Sequence, residues 1–507
     1  MTVSDTAGGS FAFSNLLVGD LWLCGGQSNM NRELKYTSNY AADAADAVNW
    51  PNIRLYYATR ASAAEPSETN TAPAWELLTP AQIANRTAIG YLFARTLAKT
   101  THANIPIGIL DLSRGGSPAQ MWFQNGKLAA LGYTDAARAA AASGSYYNAM
   151  IHPVRRVPLA GVLWYQGESN AYAPSSELHD LYYSLFPDLI RHWRDDVFNR
   201  PALPFYFVQL ANYANDTDYV AVRDAQQQTL SLPNTGMALA LDIGLEHDLH
   251  PPDKATVALR LALHAFKNNY NIPTLADGPR LADATVLPGQ AAATLAFANT
   301  QNLTLLAQTL NATLPGPERP AFELAGPDGV FHLATAAVSA PDTLTVASPQ
   351  VSEPKQVRYL WHNTPAALLY NRIPSPVPGE PAIWLPAPPI RPTPLRAVSF
   401  NDPASLAQDD LLAYALIPGP DGVLPETGGD LSHLPQTALS DGTLSLTFTP
   451  ARAGFTYELQ RSTDLQNWTT LHTITTPAAL PVTLPADLPV ATTPRQFLRL
   501  KITPPQK

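Results

Sequence analysis

Serine, histidine and carboxylate side chains recur in this chain just after short apolar runs, where a hydrolytic site needs them. In GDLWLCGGQSNM (19–30), an apolar run ends at Cys24 and leads through Gly25 and Gly26 to Gln27, Ser28 and Asn29. The glycines permit a tight turn that exposes a hydroxyl, so Ser28 reads either as a nucleophile or as a helix N-cap. A helix starting just after it would aim free N–H groups at any oxyanion formed there. In DIGLEHDLHPP (242–252), Asp248 and His250 lie two apart on a loop that Pro251 and Pro252 keep irregular. A serine needs a base, and a histidine base needs an acceptor to hold its tautomer. The alternatives are that His247, Asp248 and His250 are surface loop residues, or that His247 and His250 form a metal pair, which lacks an HExxH-type set around it.

Two further stretches repeat the pattern. VLWYQGESN (162–170) carries Gln166, Glu168 and Asn170 past an apolar run. Gln166 has an amide to offer an oxyanion, or the cluster satisfies backbone groups at a loop entry. DLSRGGSPAQMW (111–122) runs into Gly115 and Gly116, whose N–H groups would line the same anion site. Arg223, on a helical pattern, either pairs with an acid or reaches the site. Trp122, Trp164 and Tyr172 are either core packing or a platform for a sugar ring. Cys24, the single cysteine, reads as packed core and excludes intrachain disulfides and cysteine-held metal clusters.

These residues need a scaffold that brings strand ends together. Apolar runs at Leu17–Cys24, Ile105–Leu112, Val162–Gln166, Pro204–Leu210 and Met237–Ile243 predict buried strands. Helical patterns at Arg86–Lys99, Ser176–Arg194, Ala221–Leu230 and Lys254–Phe266 alternate with them. This rhythm predicts an α/β fold, a three-layer α/β/α domain with a parallel sheet whose site lies beyond the strands' carboxyl ends. Proline marks where the pattern changes: 15 fall in residues 1–270 and 33 in the remaining 237. Proline suits neither helix interiors nor central strands, so the second half is predicted to be β-rich, with short strands and loops. The expected organisation is a catalytic domain over 1–272, a β-sandwich over 273–392 and a small β-rich module over 393–507. The last is centred on YELQRSTDLQNW (457–468) and QFLRLKI (496–502).

With 507 residues, 46% of them hydrophobic, the chain can fill several cores. Its net charge of −9 argues against a nucleic-acid partner, and no apolar run is long enough to span a membrane.

The quoted motifs, with YNAMIHPV (147–154), LPFYFVQLANY (203–213), VRDAQQQTL (222–230) and the extension to Lys254, resemble the sialate O-acetylesterase family of SGNH-type serine hydrolases. That family also includes acetylxylan esterases. FELAGPDGVFHLATAAV (322–338) and VRYLWHNTPAALLYN (357–371) resemble its β-region. The resemblance implies a hydrolase that removes O-acetyl groups from sugars without metal or organic cofactor. It implies Ser28 as nucleophile, His250 as general base and Asp248 as the orienting acid. The oxyanion donors would be the N–H groups of Ser28 and Gly115 (or Gly116) and the Gln166 side chain. Gln27, Asn29, Glu168, Asn170, Trp122 and Arg223 would touch substrate.

The sequence departs from that pattern in two places. Many SGNH-type hydrolases carry the acid three residues before the histidine, where this chain has His247; Asp242 is a second candidate, and a dyad aided by a backbone carbonyl a third. The opening residues 1–16 resemble the last strands of an N-terminal β-domain and lack the basic start and apolar stretch of a signal peptide, although export is the expectation. The acidic balance makes neutral acetylated xylan at least as good a substrate as O-acetylated sialic acid. The competing readings are a general short-chain esterase, a catalytically silent glycan-binding protein and, more remotely, a glycosidase using Glu168. No oligomeric state follows from the sequence.

Overall fold

Seven strands form the sheet that carries the motifs. They are β1 (Asp20–Gly26), β2 (Ile53–Tyr57), β3 (Ala74–Leu77), β4 (Ile107–Asp111), β5 (Gly161–Tyr165), β6 (Phe205–Val208) and β7 (Thr235–Ala238). The structure, a computed structural model, describes residues 1–397 apart from 7–8, 73, 101–104, 134–143, 173–175, 215–218, 288, 306–320 and 366–368. It also describes strand segments at 436–440, 443–448, 456–462, 469–475, 482–486 and 497–503. The sheet order is β3-β2-β4-β1-β5-β6-β7. All neighbours are parallel except β2 and β3. The sheet is therefore mixed, not purely parallel as the sequence suggested, and β2 and β3 were not anticipated.

β4, β5 and β6 are buried at every position, which is why they read as unbroken apolar runs. The helices relevant to the site are α1 (Ser28–Asn31), α2 (Ala88–Ala98), α3 (Glu168–Ala171), α4 (Ser176–His192), α5 (Tyr219–Gln228) and α6 (Lys254–Asn268). Thr87 caps α2 and Asp253 caps α6, each side chain accepting from a first-turn N–H. Alternation along β6 distributes the packing: Phe205 and Phe207 meet Phe186 of α4, and Tyr206 between them stacks on His264 of α6. Trp22 of β1 meets Phe93 of α2 edge-on at 4.9 Å.

The second half is β-rich. Residues 280–397 hold an eight-stranded sheet, antiparallel except at one edge pairing, and a three-stranded sheet of Leu303–Leu305, Leu369–Ile373 and Ile383–Pro386. Beyond them, Thr456–Ser462 and Thr443–Phe448 are each the central strand of a three-stranded sheet. Much of the module expected over 393–507, including 398–435 and 463–468, lies outside the described residues.

The β-region is hydrogen-bonded to the first half. Arg223 Nη2 donates to the Asn363 carbonyl at 2.9 Å, and Asn212 Nδ2 to the Pro365 carbonyl at 2.7 Å. Arg391 pairs with the buried Asp224 at 2.5 Å. Among the described residues, no helix is long and apolar enough to cross a membrane.

At the end of β1 the chain must turn while pressed against β5. Gly26 sits at φ 115°, and a Cβ there would overlap the Tyr165 carbonyl. Gly26→Ala is expected to lower stability by more than about 2 kcal/mol, combining strain with overlap, and urea unfolding measures it. An unchanged midpoint would mean that the strands part here at no cost.

Candidate active site

β1 delivers Ser28. Past Gly26, the Gln27 N–H still donates to the Tyr165 carbonyl at 2.8 Å, so the chain leaves the sheet only at Ser28, the first residue of α1. The segment after β4 follows β1 outward: Leu112 N–H donates to the Cys24 carbonyl and Arg114 N–H to that of Gly26. That pairing brings Gly115 over the turn, where a Cβ on it would come 3.7 Å from Ser28 Cβ. Neither the Ser28 nor the Gly115 amide N–H has an acceptor among the described residues. Gly116 follows at φ 70°, exposed.

The loop after β7 delivers His250. Its Nε2 lies 2.8 Å from Ser28 Oγ across 222 residues of sequence. Asp248 Oδ1 accepts the His250 backbone N–H at 2.8 Å, which folds the loop back on itself, and stands 4.0 Å from Nδ1. That is ion-pair range, not a hydrogen bond. Asp242 is committed elsewhere, as both its oxygens accept from Arg260, at 2.7 and 2.6 Å. His247 is exposed, and among the described residues no group of three metal-ligating side chains includes it. Burial, then the nearby Arg32 and Lys254 charges, push the His250 pKa below its ordinary value against the opposing pull of Asp248. A neutral imidazole at pH 7 is free to accept the serine proton.

The remaining candidates are buried beneath this pair. Gln27 Oε1 accepts from Gln166 Nε2 and from the Ser169 N–H. Gln166 Nε2 is shared among Gln27, Asn170 (2.7 Å) and the Ser117 carbonyl, and its oxygen accepts from Tyr182. Its amide is thus engaged inside the protein, unlike the free donor expected. Asn170 Oδ1 also accepts the Ala119 N–H, tying the segment after β4 to the end of β5. Glu168 is buried and accepts from Asn29 at 2.5 Å. Burial raises its pKa, with Asn29 and Lys254 opposing.

Two expectations are corrected outright. Trp122 is fully buried, meets Trp164 and Trp193 edge-on and donates to Ser117, so neither it nor Trp164 forms a sugar platform. Arg223 is buried and donates to the Tyr219 and Asn363 carbonyls, joining α5 to the β-region. Tyr172, 43% exposed beside Tyr213, keeps an open face.

Sequence reasoning missed Lys254 and Arg60. Lys254 is buried at the start of α6 and donates to Asn29. Arg60 pairs with the buried Asp111 and donates to the Ser113 carbonyl, bracing the glycine segment from the far side. A lysine in a first helical turn opposes the helix dipole, which was a legible signal. Arg60 lies in an irregular stretch and gave none.

Residues 18–266 match the model of the carbohydrate esterase, sialic acid-specific acetylesterase family. The sialate O-acetylesterase of Homo sapiens is 32% identical over 302 residues, which is 52% of this chain and 56% of that protein. The Rattus norvegicus enzyme is 30% identical over 313 residues, 50% of this chain and 56% of that protein. The chain therefore spans little more than half the length of these curated relatives. A crystal structure of a carbohydrate acetylesterase from Xanthomonas citri superposes with a TM-score of 0.64 at 32% identity, covering 77% of this chain and 84% of that one. Fold and sequence together place the chain in the carbohydrate esterase class. Within that class it belongs to the sialate O-acetylesterase family.

The His250 environment makes a prediction independent of catalysis. Its imidazole is expected to titrate below the ordinary value of about 6.5, as followed by NMR of the ring C–H protons. A midpoint at or above that value would contradict the balance of burial and neighbouring cations described here.

Proposed function

We propose that this protein is a carbohydrate O-acetylesterase working through an acetyl-enzyme on Ser28. The observation that carries the reading is the 2.8 Å contact between His250 Nε2 and Ser28 Oγ, beside the two amides without acceptors. Ser28 Oγ attacks the acetyl carbonyl as His250 takes its proton. The developing oxyanion is held by the N–H groups of Ser28 and Gly115, each such donor contributing on the order of 10²–10³ in rate. His250 returns the proton to the departing sugar oxygen, then activates the water that releases acetate and regenerates Ser28. Asp248 is the nearest acid to Nδ1 and orients the ring; Gln166 contributes by fixing Gln27 and Asn170.

Ser28 and His250 are only partly buried, which suits an ester carried on a bulky sugar chain. Acetylated xylan-type glycans and O-acetylated sialic acid are the substrate classes proposed, met outside the cytoplasm. The same reading takes the packing on either side of Tyr206 and Phe207 as the outer layers of an α/β/α unit over 1–272, with accessory β-units over 273–392 and 393–507.

Acetate release from acetylated xylan, O-acetylated sialic acid and an aryl acetate tests the reading. Ser28→Ala is expected to lose about 10⁴-fold or more on every ester. Asp248→Asn is expected to lose about 10–100-fold in kcat, less than His250→Ala, because no hydrogen bond joins it to Nδ1. A wild type that releases no acetate, or a Ser28→Ala variant at the wild-type rate, would sink the proposal.

A further inference from the structure

Asn29 and Leu249 are the immediate neighbours of Ser28 and His250 in the chain, and they are bonded to each other. Asn29 Nδ2 donates to the Leu249 carbonyl at 3.0 Å and to Glu168 Oε1 at 2.5 Å. Asn29 Oδ1 accepts from Lys254 Nζ at 2.5 Å. One carboxamide thus joins the turn after β1, the helix after β5 and the loop and helix after β7. All three side chains are buried.

The charges dictate which way that amide points. Its oxygen faces an ammonium and its nitrogen faces a carboxylate, so a flipped Asn29 would set both against like partners. The arrangement is costly. Lys254 sits in the first turn of α6, where the helix dipole disfavours a cation, and it is almost fully buried. Glu168 Oε2 is buried without a hydrogen-bond partner among the described residues. A packed apolar pair would be cheaper if only stability were at stake.

We propose that Lys254 is a positioning residue: through Asn29, and balanced by Glu168, it staples the Ser28 turn to the His250 loop and holds the two in register for proton transfer. This rests on the reading of Ser28 and His250 as the reacting pair. The charged groups acting on Lys254 are Glu168 from α3, Arg32 following α1, and Asp248 and Asp253 from the loop leading into α6. The Tyr165 ring faces the ammonium at 5.5 Å. Burial brings the lysine down to about 7, mainly against the pull of Glu168. In its charged form Lys254 also disfavours protonation of His250.

Two variants separate the staple from the charge, both assayed on the full chain with 4-nitrophenyl acetate. Lys254→Met is expected to lower kcat about 10–100-fold with KM within about threefold, because positioning acts in the transition state. It should also move the acid limb of the pH profile to higher pH, since a cation near His250 is gone. Asn29→Ala cuts the link but keeps the cation, so kcat should fall similarly with the acid limb unmoved. Thermal melts establish that each variant folds. Wild-type kcat and an unshifted acid limb in Lys254→Met, while Ser28→Ala is inactive, would overturn the staple and leave the serine reading intact. Should Lys254→Met not fold, Asn29→Ala decides, with kcat within threefold of wild type overturning the proposal. Should neither fold, the cluster is purely structural and the proposal is likewise overturned.

Discussion

Everything at the site depends on how closely the carboxyl ends of β1 and β5 approach. The Gln27 N–H continues the ladder onto the Tyr165 carbonyl, and Gly26 is the residue that allows it without overlap. β1 is also the central strand of the sheet, with later strands added on both sides. Connections diverge from it on both sides, so the segments that follow β4, β5 and β7 can meet beyond its end. Had β1 lain at an edge, no more than one of those segments would have been its neighbour.

Beneath the partly buried pair of Ser28 and His250 lies a layer of uncharged amides. Gln27, Gln166 and Asn170 bond to one another and to backbone groups, which ties this polar floor together. The charges sit in separate pockets: Arg60 with Asp111, Arg260 with Asp242, and Lys254 with Glu168 through Asn29. Burial, and then the cations nearest His250, hold its pKa below the ordinary value. The chain as a whole is acidic, so net charge misjudges the field at the site.

The principal strands and helices were legible because they are buried on both faces or strongly amphipathic. The Ser28, Gly115 and His250 segments were legible because glycine and proline punctuate them. β2 and β3 were not, since Arg54 interrupts one and the other is a four-residue edge strand with no buried position. Trp122 and Arg223 were misjudged for a common reason. Residue type announces that a tryptophan can stack or an arginine can bind, but only tertiary packing says which way either faces. Lys254 was overlooked because lysine is so rarely buried.

The links between Arg223 and Asn363, Asn212 and Pro365, and Asp224 and Arg391 have a consequence for modularity. Their inner partners lie on α5 or just ahead of it, and Gln226 of α5 bonds the Gln166 carbonyl at the floor of the site. Through α5 the β-region is thus coupled to the floor of the site, and α6 adds a second link, Arg260 donating to the Trp384 carbonyl. Replacing the β-region that carries Asn363 and Arg391 would strand a buried guanidinium and a buried carboxylate. The first half is not an interchangeable cassette, and changes around Asn363 have a short mechanical route to the Ser28 and His250 segments.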